Sequence, residues 1–370
     1  MKKYLLIITI FLLFPLSQVH AAFSQYRSIT VQSAQVPSTQ TNFPMLVSAT
    51  YTYLKTIANG GKVVNTNGYD VGFYSNSNCS TGKLNWETEK YVATTGEVDY
   101  WINIASISNG TVIYMCYGDS TISTDQSNKT AVWDTNYKGV WHLPDGTTLT
   151  ANDSTGNGNN GTITNSPTAT TGKVDGAANF VSGSSQYIQD SFANQPQGNS
   201  STTVSAWVNL VNSSGGYDMV SFYGLDSASN RSGYYLYRHP TGYAYAEFGS
   251  GYGGVAGTTI LSPSTWYYMV GVYDGTSNKI YINGALEGTT AFSAGNFGGN
   301  KHDIGAYQTL GGTPSLFLNG VIDEHRISNV ARSANWITTE YNNQSVPSSF
   351  YAVGLEISIS GNMMMLGMSF

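Results

Sequence analysis

Short runs in which apolar and polar residues alternate recur along most of the chain. In "TVIYMCYGD", Val112, Tyr114 and Cys116 fall on one face and Ile113, Met115 and Tyr117 on the other. Side chains alternate across a strand, so a period of two predicts a half-buried β-strand. "TTVSAWVNL", "TWYYMVGVYDG" and "NKIYINGAL" are of similar length and are bounded by turn residues. Runs of this kind predict antiparallel sandwiches rather than βαβ units. One helix is predicted, in "RSANWITTEYNNQ": Ser333 is placed to cap it, and Ile337 and Tyr341 lie one turn apart, as do Trp336 and Glu340. The expected fold is all-β, with two tandem β-sandwich domains.

The pattern changes at the two ends and near the middle. Lys2 and Lys3 precede an apolar run from Tyr4 to Leu16, with small residues at Ala21 and Ala22. That is the layout of a secretory signal peptide, and the run is short for a membrane span. Residues 1–21 are therefore expected to be removed, leaving a mature chain without a transmembrane segment in the periplasm, at the cell surface or secreted. An uncleaved anchor helix is the alternative. The first domain is expected over 22–133 and the second over 134–354. The Met-rich tail, 355–370, matches neither pattern.

A length of 370 residues suits about two domains. Aromatic residues (13%, with 27 Tyr) outnumber charged ones (10%), which suits short strands with Tyr at partly wet faces. The net charge is −6, and no basic cluster follows the first residues. Nucleic acid and anionic membranes are thus poor partners. The two cysteines, Cys79 and Cys116, read as a disulfide in an exported chain, or else as two buried thiols.

Several stretches carry a family resemblance. "GVWHL" with "NDSTGNGNNGT", "GAANFVSGSSQYI", "TTVSAWVNL", "STWYYMVGVYDGTSNKIYINGALEG" and "FLNGVIDEHRISNVARSANWI" occur in the order seen in laminin-G-like (concanavalin A-like) jelly rolls of secreted bacterial proteins. The second half resembles that family over most of 138–342. The first half, with "NFPMLVSA", "YDVGFYSNSNC" and "VIYMCYGDSTIS", resembles an uncharacterised β-sandwich domain common in bacterial envelope proteins.

The resemblance implies that the Asn/Asp/Gly tract after "GVWHL" opens the module and can hold calcium on its rim. Asp153 and Asn157 would be ligands, Asn159 a weaker candidate, and Asp323 of "NGVIDEHRI" the second carboxylate. An ordinary Asx/Gly turn is the competing reading. Strand alternation puts Asp323, His325 and Ile327 on one face and Glu324 and Arg326 on the other, where the latter two can pair. His325 then reads as a core histidine, with His142 near it if the module's first and last strands pair.

Hydrolases occur on this fold, but the Glu-x-Asp-x-x-Glu strand motif of its glucanases is missing, as is a G-x-S-x-G elbow. Glu87 and Glu89 of "NWETE" share a strand face, but in the other domain. In "YAYAEF", Tyr243 and Tyr245 face away from Ala244, Ala246 and Phe248; they can stack on sugar rings or simply pack across strands. The expectation is a non-enzymatic secreted or envelope-associated binding or adhesion module for a glycan or another surface ligand. Two alternatives stand beside it. One is a structural spacer in an assembly with another envelope protein, and the other is a polysaccharide hydrolase.

Overall fold

The computed structural model describes residues 23–359, apart from short stretches at 145–147, 191–193, 198, 212–215, 228–229, 251–252, 294–298, 300 and 310–312. The leader expected at 1–21 and residues 360–370 lie outside the described residues.

The strand alternation holds. Val112–Tyr117 turns Ile113, Met115 and Tyr117 into the core of the first sandwich, while Cys116 lies on the other face beside Phe23 and Tyr74. There it forms a disulfide with Cys79, the two Cα atoms 6.1 Å apart. This sandwich has two sheets. The three-stranded sheet runs Gln40–Thr50, Glu97–Ile107, Trp86–Val92. The five-stranded sheet contains Val71–Tyr74, Val112–Tyr117 and Gln25–Val31, and it is completed from the far end of the chain. Tyr351–Val353 pairs with Ile29 to Val31, and Ile357–Ser358 pairs with Gln25 and Tyr26. The boundary expected at Gly354 therefore falls inside a segment that belongs to the first sandwich, and residues 355–358 are not a free tail. Strands of two and three residues carry too little periodicity to be read in sequence.

The second sandwich packs an eight-stranded sheet on a seven-stranded one. Val204, Ala206 and Val208 of Thr202–Leu210 enter its core with Met269, Ile280, Ala244, Ala246 and Phe248. The predicted "NKIYINGAL" run is a hairpin, Ser277–Ile282 and Ala285–Ala291, joined by Asn283 and Gly284 at φ 52° and 81°. Two left-handed residues in a two-residue loop match the twist of the paired strands. Tyr137–Trp141 and Gly320–Ser328, first and last of the module, do pair, with Trp141 opposite His325.

The outer face of the eight-stranded sheet, with Trp207, Tyr268, Val270 and Val272, is covered by the helix Ala334–Ser345. Ser333 Oγ accepts from the Trp336 amide at 3.1 Å, as the capping pattern predicts. Trp336 enters the core of the first sandwich, and its neighbour Ile337 packs on the second. Asn343 completes the edge strand Gln40–Thr50: its Oδ1 accepts from the Leu46 amide (2.7 Å) and its Nδ2 donates to the Leu46 carbonyl (3.0 Å). The helix thereby blocks an otherwise unpaired sheet edge and fixes the two sandwiches together.

Candidate functional site at the junction of the sandwiches

Glu87 and Glu89 lie two residues apart on Trp86–Val92 and face the second sandwich, where His142 stands just past Tyr137–Trp141. His142 Nε2 is 3.3 Å from Glu87 Oε2, and its Nδ1 is 2.6 Å from Glu324 Oε1 and 3.5 Å from Glu89 Oε2. Glu87 also accepts from Ser154 Oγ (2.6 Å) and Trp133 Nε1 (2.9 Å). Glu89 Oε2 accepts from Trp101 Nε1 at 2.6 Å, whereas its buried Oε1 has no partner. Behind Glu324, Arg326 donates to Glu324 Oε2 (2.5 Å) and Glu340 Oε1 (3.1 Å), with its guanidinium over the Trp101 and Trp133 rings.

Burial alone would strip His142 of its proton, but Glu324, Glu89 and Glu87 outweigh it and raise the imidazole pKa well above its ordinary value. Burial likewise works to raise Glu324, and His142 and Arg326 reverse the sign and hold it below the usual carboxylate value. Glu89 has too few compensating donors, so burial leaves its pKa well above ordinary. A cleft of about 240 Å³ opens onto Glu87, Glu89 and His142, bordered by Asp125, Thr150 and Asn152.

The expected calcium ligands are placed otherwise. Asp153 Oδ1 accepts from the amides of Val140 (3.1 Å) and Thr155 (2.9 Å), and Oδ2 from Thr155 Oγ1 (2.8 Å) and the Asn159 amide (2.9 Å). Asn157 donates its Nδ2 to the Tyr137 carbonyl (3.0 Å) and to Thr155 Oγ1 (2.9 Å). The tract spends its polar groups on its own backbone and does not fit a calcium cage. Asp323 Oδ2 accepts from the amides of Lys173 and Val174, and Asp323 and Asp153 share no partner among the described residues. The face expected for Asp323 is also corrected. Glu324 has φ 51°, and the ladder to Thr202–Leu210 slips between Ser205 and Trp207. This bulge lets His325 and Ile327 face the core with Ile322, while Glu324 and Arg326 point to the junction. No glycine marks the bulge, so alternation could not reveal it.

A second polar chain escaped sequence reading. Within the core of the second sandwich, Ser221 Oγ is 3.2 Å from His302 Nε2, and His302 Nδ1 is 2.8 Å from Asp190 Oδ2. All three are buried, and His325 packs against the His302 ring. Burial pushes Asp190 up to about 9 and His302 down to about 3. The residues are scattered over strands far apart in sequence, so only topology brings them together.

Tyr245 stacks on Tyr237 (centroids 5.5 Å, 19°) and lies against His239 (4.9 Å), which meets the exposed Tyr217 edge-on (5.2 Å). Tyr243 is half-buried on the same strand face, and Ala244, Ala246 and Phe248 are in the core as predicted.

Residues 182–338 match the family model of the concanavalin A-like lectin/glucanases superfamily. The second sandwich is a concanavalin A-like domain. Among solved structures, the chain is similar to domain 4 of AbnA, an extracellular arabinanase from Geobacillus stearothermophilus solved with arabinotriose (22% identity, 55% of this chain and 97% of that one, TM-score 0.41). It is also similar to the binding domain of Paraclostridial Mosquitocidal Protein 1 (13%, 56% and 52%, 0.43) and to Trypanosoma rangeli sialidase (12%, 65% and 42%, 0.42). No curated protein matches the chain. The concanavalin A-like domain thus brings its first and last strands to the junction, and its aromatic strip lies on the seven-stranded sheet.

Proposed function

We propose that this chain is a non-enzymatic, extracytoplasmic binding or adhesion protein, and that its concanavalin A-like domain recognises a neutral glycan through the aromatic strip Tyr217, Tyr237, His239, Tyr243 and Tyr245. The observation that carries this reading is the row of contacting rings, with Tyr245 stacked on the buried Tyr237 and Tyr217, His239 and Tyr245 open to solvent in part, on a sheet face turned away from the core. Ring faces bind the C–H surface of a sugar, and phenol hydroxyls bond to its periphery. The net charge of −6 disfavours a polyanionic ligand. The disulfide suits an oxidising compartment, and among the described residues no helix is long and apolar enough to cross a membrane. The Ser221–His302–Asp190 chain lies inside the core, out of reach of a polysaccharide, which supports binding over hydrolysis.

The test is binding of the whole purified chain to an array of neutral glycans. Tyr217→Ala and Tyr245→Ala should each weaken the best hit about tenfold, since one stacked ring contributes roughly 0.5–1.5 kcal/mol. A second reading is a ligand-free spacer, favoured by the side chains of both sandwiches that meet in one core around Trp133, Tyr137 and Trp336. An array with no hit, or one whose hits ignore both substitutions, selects the spacer.

A further inference from the structure

We propose that the junction holds a divalent first-row transition ion, zinc foremost, on His142 Nδ1, Glu89 and Glu324, with its open position toward the cleft. This site is separate from the aromatic strip and does not depend on it. The three ligand atoms lie within 4.8 Å of one another. Zinc–nitrogen and zinc–oxygen bonds of about 2.0–2.2 Å place the ligands of one tetrahedral ion about 3.3 Å apart. His142 Nδ1 stands 2.6 Å from Glu324 Oε1 and 3.5 Å from Glu89 Oε2, on either side of that spacing. The third pair, Glu89 and Glu324, lies within 4.8 Å, so holding one ion requires the two carboxylates to rotate toward each other.

Two further observations point to a ligand. Glu89 is 2% exposed at its side chain and borders the cleft, yet its Oε1 has no hydrogen-bond partner. A carboxylate oxygen left bare in a buried place is costly unless something positive meets it. The second is the support behind the ligands. A metal-bound histidine usually gives its other N–H to a carboxylate, and Glu87 Oε2 waits at His142 Nε2, itself fixed by Ser154 and Trp133. Arg326 grips Glu324 through Oε2, which leaves Oε1 toward His142. Charge agrees as well: Glu87, Glu89 and Glu324 each place an oxygen within 3.5 Å of one imidazole. Ligands bind deprotonated, so the ion displaces the proton at His142 Nδ1 and any proton on Glu89, and these leave to solvent through the cleft.

The experiment uses the whole chain, stripped with chelator and titrated with Zn²⁺ by calorimetry and with Co²⁺ by visible absorption. One ion per chain is expected, with the intense cobalt bands of a low-coordinate nitrogen/oxygen site. Glu89→Gln keeps an oxygen for Trp101 and so keeps the fold, but should weaken binding at least tenfold. Glu87→Gln should weaken it about 10- to 100-fold through the histidine. The surface variant Asp274→Asn should bind as the parent does. No saturable uptake, unchanged affinity in Glu89→Gln, or loss of uptake in Asp274→Asn would each overturn the assignment.

Discussion

His142 and His302 are matched in most respects and opposite in charge. Each is buried, each stacks on a tryptophan (Trp101 at 5.6 Å, Trp141 at 5.2 Å), and each places Nδ1 within 2.8 Å of a carboxylate. Yet His142 is held protonated and His302 neutral. The difference lies in what stands behind the carboxylates. Around His142, Glu87 and Glu324 are supplied with donors from Trp133, Ser154 and Arg326, which with the imidazole hold both below the usual carboxylate value and let them impose a charge on the ring. Asp190 has His302 and an Oδ1 without a partner, so burial leaves the proton on the acid. Counter-ions and donors, not burial, decide whether an enclosed histidine is a cation.

The strongest way to break this contrast is Arg326→Met. It leaves Glu324 and Glu340 without their guanidinium and should cost about 3–5 kcal/mol in urea unfolding, because an uncompensated buried charge remains. A loss below 1 kcal/mol would mean the junction is not ionised as described. The disulfide provides a yardstick on the first sandwich alone. The double change Cys79→Ser with Cys116→Ser closes no loop, and a loop of this size contributes about 3–4 kcal/mol. Unfolding the parent with and without reductant measures the same quantity.

The histidines themselves predict a pH profile. Asp190 is raised from 3.8 to about 9, so its contribution is complete below 3.8 and is lost as pH climbs toward about 9. His302 is depressed from 6.5 to about 3, so it works the other way: stability is present above 6.5 and lost as pH falls toward about 3. The two oppose each other between 3.8 and 6.5, and the Asp190 slope emerges above 6.5. His142, raised as well, adds a fall of the same sign in that range. Asp190→Asn, nearly isosteric and still able to donate to His302, should change stability by less than about 1 kcal/mol near neutrality and remove up to about 1.4 kcal/mol per pH unit of the alkaline decline. A variant with the parent's slope would place the proton elsewhere. The smallest effect belongs to Lys279→Ala. Its partner Asp274, at 2.6 Å, is partly open to solvent, so thermal midpoints should differ by no more than about 0.5 kcal/mol allows.

Much of the fold was legible because alternation records which side of a strand meets the core. Ala244, Ala246 and Phe248 could be assigned to the core without coordinates, and Ile113, Met115 and Tyr117 to one shared face. The pairing of the module's first and last strands entered only as a condition, whereas the capped helix was equally open to reading. The junction was not. Glu87 and Glu89 were correctly placed on one strand face, but nothing local says that His142 and Glu324 will come to meet them. The bulge at Glu324 reverses a face without the glycine that would announce it. The tract at Asp153 was ambiguous for a physical reason: the oxygens that suit a hard cation also suit backbone amides, and here the amides take them.

The return of Ile357–Ser358 to Gln25–Val31 bears on how the molecule would meet mechanical tension. Gln25 lies opposite Ser358 in an antiparallel pair, so the chain enters and leaves the first sandwich at neighbouring points. A pull applied through those two points does not shear the ladder. It peels the pair apart one hydrogen bond at a time, the weaker loading geometry, and the second sandwich feels no force until that seam has opened. An adhesive role under flow would then place the ligand on a body that is mechanically shielded behind a short, renewable zipper.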